Sequence, residues 1–125
     1  MRRSVGLLDV RCEVAGSAIV VSVKGEVDSG TVEVLHPVLD EGLGRALVAP
    51  ARLLVLDLDD VTYFGSAGLN AVLGCFERGT DAGIAVRVVA TNAEVTRPLE
   101  ITKLDQVLRP YPSVSAALSD DGDPA

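Results

Sequence analysis

Leu53-Leu54-Val55-Leu56-Asp57-Leu58-Asp59-Asp60-Val61-Thr62-Tyr63-Phe64-Gly65-Ser66-Ala67-Gly68-Leu69 is the stretch that decides the fold. Its first six residues are a nearly continuous apolar run, the pattern of a strand buried on both faces. Asp59-Asp60 reads as the end of that strand and Tyr63-Phe64-Gly65 as a short loop. Leu69, Val72, Leu73 and Phe76 then recur at helical spacing, so an amphipathic helix opens near Ser66 and runs until Gly79-Thr80-Asp81-Ala82-Gly83 stops it. A strand of this kind handing over to a helix is the unit of a parallel α/β sheet.

Working outward, Ile84 to Ala90 is the next buried strand. Asn92 is placed to cap a third helix with Val95, Leu99 and Leu104 inward, and Pro98 is a local irregularity in it. Val107-Leu108 reads as a short strand and Pro112 to Leu118 as a closing helical piece. Upstream, Leu7 to Val14 and Ser17 to Lys24 flank the turn Ala15-Gly16-Ser17 and form a β-hairpin. Gly25 to Gly30 breaks that pattern. Leu35, Val38, Leu39 and Leu43 then mark a first helix over about Thr31 to Leu47, loosened by Pro37, which lacks an N–H. The order is β-β-α-β-α-β-α-β-α. It predicts an α/β fold, one domain over residues 1–118, with a mixed sheet of four to five strands and about four helices. Residues 119–125 read as a disordered acidic tail.

Composition narrows the function classes. The 125 residues carry a formal net charge of −7 and are 48% hydrophobic, a globular rather than a disordered balance. An acidic chain without a basic stripe is repelled by phosphate backbones and anionic lipid, so neither nucleic acid nor a membrane surface is an expected partner. No apolar run approaches the roughly 20 residues of a membrane span, and Gly6 to Val10 is too short for a signal-peptide core, so a cytoplasmic location is expected. Cys12 and Cys75 sit in apolar segments as buried thiols rather than a disulfide. An acidic single domain is compatible with a monomer.

Catalytic chemistry finds little support. His36 is the only histidine and lies on the first helix with no triad-like set beside it. The sequence has no zinc-ligand spacing, no Gly-x-Gly-x-x-Gly and no Walker pattern, so no metal, cofactor or enzyme activity is expected. Asp57, Asp59 and Asp60 bunch in one strand and its end, where a solvated edge accounts for them better than a divalent cation. Ser66 remains. Its hydroxyl suits the N-cap of the helix that follows, and two small residues after it leave the hydroxyl unshielded. Spacing alone leaves a plain cap and a regulatory serine both open.

Three stretches carry a resemblance over about Leu7 to Leu118: Gly25-Glu26-Val27-Asp28; Leu56-Asp57-Leu58 with Val61 to Leu69; and Tyr111-Pro112-Ser113-Val114 with Ala116-Ala117-Leu118. In order and spacing the chain resembles the STAS domains of bacterial anti-sigma factor antagonists, which an anti-sigma factor serine kinase phosphorylates. That resemblance implies a sheet with helices packed mainly on one face. It implies that Ser66 is the phosphorylated serine and that Asp28, Gly65, Ser66, Ala67, Gly68 and Leu69 form the partner-binding surface. The implied partners are the anti-sigma factor kinase and a phosphatase of the phosphorylated form, with sigma-factor-dependent transcription under control. Gly65 departs from the Asp that many members have before the serine, and Lys103 stands where relatives often have Gly. A STAS scaffold that is not phosphorylated, and a small-ligand or nucleotide-binding module using the Ser66 helix start, are the alternatives.

Overall fold

A computed structural model describes residues 2–120. Five strands form one mixed sheet in the order of the sequence: β1 (Arg2–Val5), β2 (Leu8–Ala15), β3 (Ala18–Val27), β4 (Leu53–Phe64) and β5 (Ala85–Val89). The first three are antiparallel neighbours, whereas β3–β4 and β4–β5 are parallel. Helices α1 (Val32–Val48) and α2 (Ser66–Asp81) make the two parallel crossovers. The chain closes through α3 (Ala93–Ile101), α4 (Asp105–Leu108) and α5 (Val114–Ser119).

The alternation of β4 explains the layers. Leu54, Leu56 and Leu58 join the main core with Leu35, Val38 and Leu39 of α1, Val72 and Cys75 of α2, and Val95 and Leu99 of α3. Leu53 and Val55 point the other way, into a smaller cluster with Val20, Val89 and Ala117 of α5. Most helical surface therefore covers one face, as the family resemblance implies, and α5 alone closes the other. Arg87 fixes α5 there by donating to the carbonyl oxygens of Ala117 and Asp120 at 2.7 and 2.9 Å. Two residues of the expected tail, Ser119 and Asp120, are thus tied to the fold, and 121–125 lie outside the described residues.

Several expectations need correction. Asp59-Asp60 does not end β4, which pairs with β3 as far as Val27↔Phe64. A shift in register between Ser22 and Lys24 lets the strand continue while turning both aspartates away from the main core. β3 likewise runs through Gly25 to Val27. Gly25 has φ +112°, and a Cβ there would lie 1.7 Å from the Leu7 carbonyl oxygen, so only glycine fits. An additional strand, β1, precedes the hairpin. Val107-Leu108 belongs to α4 instead of a strand; the strand-like contact falls later, where Tyr111 bridges Val89.

Prolines 37 and 98 lie inside α1 and α3, which run unbroken through them. Buried neighbours (Leu35, Val38 and Leu39; Val95 and Leu99) hold those turns by packing, which outweighs the lost hydrogen bond. Leu56 lies fully buried on an interior strand, between Val21 and Val88 of the flanking strands. Leu56→Ala is expected to lower the unfolding free energy by about 2–5 kcal/mol, measured by urea denaturation with an unchanged slope.

Candidate functional site

The parallel pairing of β3 with β4 brings their ends together at one edge of the molecule. Val27 is partnered with Phe64, and the Gly65 N–H donates to the Val27 carbonyl at 3.0 Å. A site candidate lies just past each strand: Asp28 directly follows β3, and Ser66 follows β4 after Gly65. The two strand ends place these loops side by side.

The loop after β3 is built around Asp28 and Thr31. Asp28 Oδ1 accepts from the backbone N–H groups of Gly30 and Thr31, at 2.8 and 3.0 Å. Thr31 Oγ1 donates to the Glu26 carbonyl at 2.8 Å and accepts from the Asp28 N–H at 3.0 Å. The Asp28 carbonyl in turn receives the Val32 N–H and begins α1. Asp28 is half-buried, so its carboxylate first serves to shape this loop.

The start of α2 differs from the expectation in one respect. Gly65, extended at φ −87° and ψ −175°, is the N-cap, and Ser66 is the first helical residue. No side-chain capping bond forms. The Gly65 carbonyl accepts the Leu69 N–H at 3.1 Å, so the backbone alone starts the helix. The exposed Ser66 hydroxyl is thereby not committed to capping. The first turn carries no acidic residue of its own to interact with the positive end of the helix.

The buried face of α2 is Gly68, Ala71, Val72, Cys75 and Gly79; of the set that periodicity suggested, only Val72 belongs to it. Small residues let the helix lie close to the sheet, and Leu69, Leu73 and Phe76 end up only half-buried. Gly68 is the tightest point at the site. A Cβ there would meet Phe64 at 2.7 Å and Val27 at 2.9 Å. Of the six partner-binding candidates, Gly68 therefore faces inward, while Gly65, Ser66, Ala67 and Leu69 reach the surface. Cys75 is buried behind them, which pushes its thiol up to about 11.

Sequence reasoning missed Tyr63 and the neighbouring part of α3. Tyr63 is half exposed, and its ring lies 3.1 Å from where a Cβ on residue 65 would be. It lines a groove with Phe64, Arg97, Pro98 and Ile101. An apolar residue two places before the loop glycine, at a position expected to be loop, was the available signal. Asn92 occupies the N-cap position of α3, yet its Nδ2 donates to the Val61 carbonyl at 2.7 Å instead of capping. Its bond and the Thr91 N–H to Asp59 Oδ1 bond, 2.7 Å, tether α3 to the end of β4.

The aspartates have structural duties. Asp57 Oδ1 accepts the Asp59 N–H at 3.1 Å, and Asp59 holds Thr91. Among the described residues no group of three or more His, Cys, Asp or Glu is placed to hold a metal ion. Burial raises the Asp57 carboxyl above the usual range; the Asp59 N–H opposes this, and the Asp59 and Asp60 charges add to it. His36 is exposed on α1, and no helix among the described residues is long and apolar enough to cross a membrane.

The fold is that of a known class: the STAS domain model matches residues 9–117, and the chain belongs to that family. The chain is 29% identical over 100 residues to the anti-sigma-F factor antagonist RsfB of Mycobacterium tuberculosis, covering 80% of this chain and 78% of that protein. An anti-sigma F factor antagonist of Paenibacillus polymyxa is 25% identical over 113 residues, covering 90% and 94%. The crystal structure of an anti-sigma factor antagonist from Mycobacterium paratuberculosis superposes with a TM-score of 0.79 at 29% identity, covering 90% of this chain and 92% of that one. A STAS domain protein from Planctomyces limnophilus shares the fold, with a TM-score of 0.68 at 19% identity over 87% of this chain and 93% of that one.

Three stability predictions follow from the geometry. Gly68→Ala is expected to cost about 1–3 kcal/mol by overpacking, despite the better helix propensity of alanine. Gly65→Ala, whose Cβ meets only the movable Tyr63 ring, should leave stability within about 0.5 kcal/mol in the same urea titration. Asp57 has its folded-state carboxyl raised, so its ionised form is the one that weakens the fold. Asp57→Asn is expected to raise the thermal midpoint near neutral pH, and the gain should shrink as pH falls and the native carboxyl protonates.

Proposed function

We propose that this chain is an anti-sigma factor antagonist controlled by phosphorylation of Ser66. The carrying observation is the exposed Ser66 hydroxyl, not engaged in capping, at the first position of a helix whose opening turn holds no acid. The names of the relatives in both sequence and structure support the class of partner. In this reading the unmodified surface around Gly65, Ser66, Ala67 and Leu69 docks on an anti-sigma factor and frees the sigma factor it holds. Asp28 shapes the adjoining loop, and Gly68 lets the helix sit close to it. The anti-sigma factor's kinase activity modifies Ser66, a phosphatase restores it, and ATP and Mg²⁺ belong to the kinase. The chain itself is a non-enzymatic cytoplasmic regulator acting as a monomer.

Phosphorylation adds about −1.5 to −2 charges and three strong acceptors. Within the chain, the free N–H groups and dipole of α2 favour that charge. Across a close-packed interface, the same dianion has to lose its water, at a cost of several kcal/mol. A swing in occupancy from 1:99 to 99:1 needs about 5.5 kcal/mol of differential binding, within reach of one desolvated dianion.

The test uses a panel of purified anti-sigma factors with ATP. Mass spectrometry is expected to locate one phosphate on Ser66, and Ser66→Ala to take none. Calorimetry should show Ser66→Asp binding at least about tenfold more weakly than the wild type, with the thermal midpoint little changed. Equal binding by both, with no phosphate on Ser66, overturns the switch and favours a STAS scaffold that ignores the state of this serine.

A further inference from the structure

The surface beside Ser66 holds a second feature that its chemistry does not use. The groove between the end of β4 and α3 is walled by Tyr63 and Phe64 on one side and by Ala93, Pro98 and Ile101 on the other. Tyr63 is 53% exposed and Ile101 75% exposed, a heavy exposure of large apolar side chains for neighbours in one groove. Glu94 and Arg97 stand on its rim with opposite charges, so the rim presents no net repulsion to a partner of either sign.

Three observations join this groove to the Ser66 surface. Tyr63 lines the groove, and its ring also lies over Gly65, filling space that a side chain at residue 65 would occupy. Phe64 lines the same groove and packs where Gly68 brings α2 closest. The far wall is tethered to the same strand, through Asn92 to the Val61 carbonyl and Thr91 to Asp59. One strand end therefore positions both the serine and the groove, and neither has to be ordered separately on binding.

We propose that this groove is the second half of the docking surface, receiving an aliphatic or aromatic side chain of the same anti-sigma factor that contacts Ser66. The proposal rests on the Ser66 reading above for the identity of the partner. It assigns Tyr63 and Ile101 as anchoring positions for that side chain, and it makes the charge on Ser66 and the filling of the groove two separable contributions to one interface.

Calorimetric titration of the full chain tests this, using the anti-sigma factor from the panel that binds the wild type. Ile101→Asp and Tyr63→Ala should each weaken binding about tenfold or more. Val48→Asp, at an equally exposed apolar residue on the far end of α1, should change it less than about twofold. Ile101→Ser provides a milder variant, and thermal midpoints check that each protein is folded. Full affinity in Ile101→Asp and Tyr63→Ala, with Ser66→Asp weakened, overturns the groove and leaves the Ser66 reading standing. Loss in the groove variants with Ser66→Asp unaffected supports the groove and removes the switch. A wild-type dimer in sedimentation analysis that Ile101→Asp dissociates assigns the groove to a second copy and overturns the proposal.

Discussion

The site depends on how closely the first turn of α2 approaches the ends of β3 and β4. Gly68 permits that approach: a Cβ would run into Phe64 and Val27, the last residues of the two strands. The Gly65 N–H to Val27 carbonyl bond then fixes the loop, and the Gly65 carbonyl starts the helix. With the backbone holding the helix start, the Ser66 side chain has no structural duty there. The same strand end carries Tyr63 and, through Asn92 and Thr91, the start of α3. A side chain at residue 68 would therefore disturb every component of the surface together.

Much of the architecture was legible because apolar periodicity is strong where strands are buried on both faces. Leu53 to Leu58 mark an interior strand, and the helix following Ser66 fell where the pattern put it. Periodicity failed where burial rests on small residues. Val72 lies on the inner face of α2 where periodicity puts it, but Gly68, Ala71, Cys75 and Gly79 carry the rest, and Leu69 and Phe76 pack only at its margin. Asp59-Asp60 resembled a strand end because charged pairs usually mark one. Here a shift in register turns them from the main core and keeps the ladder intact. Val107-Leu108 looked like a strand because two apolar residues cannot distinguish a short strand from a single helical turn.

The candidate site was legible in position but not in mechanism. Ser66 reads as a cap from its residue type and place, and the backbone at Gly65 supplies the start instead. Asp28 reads as a surface acid, and its carboxylate is engaged by Gly30 and Thr31. Both differences separate the parts that build the loops from the part left available for modification. The missing side chain at Gly65 also has a structural counterpart, since the Tyr63 ring lies in that space. No rule of local sequence couples residues 63 and 65 in this way; it arises only when strand, loop and helix are assembled.

The central claim is that one phosphate on Ser66 breaks the docking surface while sparing the fold. Amide NMR of the uniformly ¹⁵N-labelled chain, before and after stoichiometric phosphorylation, examines both halves together. The account predicts shift changes confined to Gly65–Asn70 and the adjoining Asp28–Thr31 loop. Added anti-sigma factor should then broaden those resonances in the unmodified chain and leave the phosphorylated one unchanged. Equal broadening in both forms, or shift changes spread through the core strands, would contradict it.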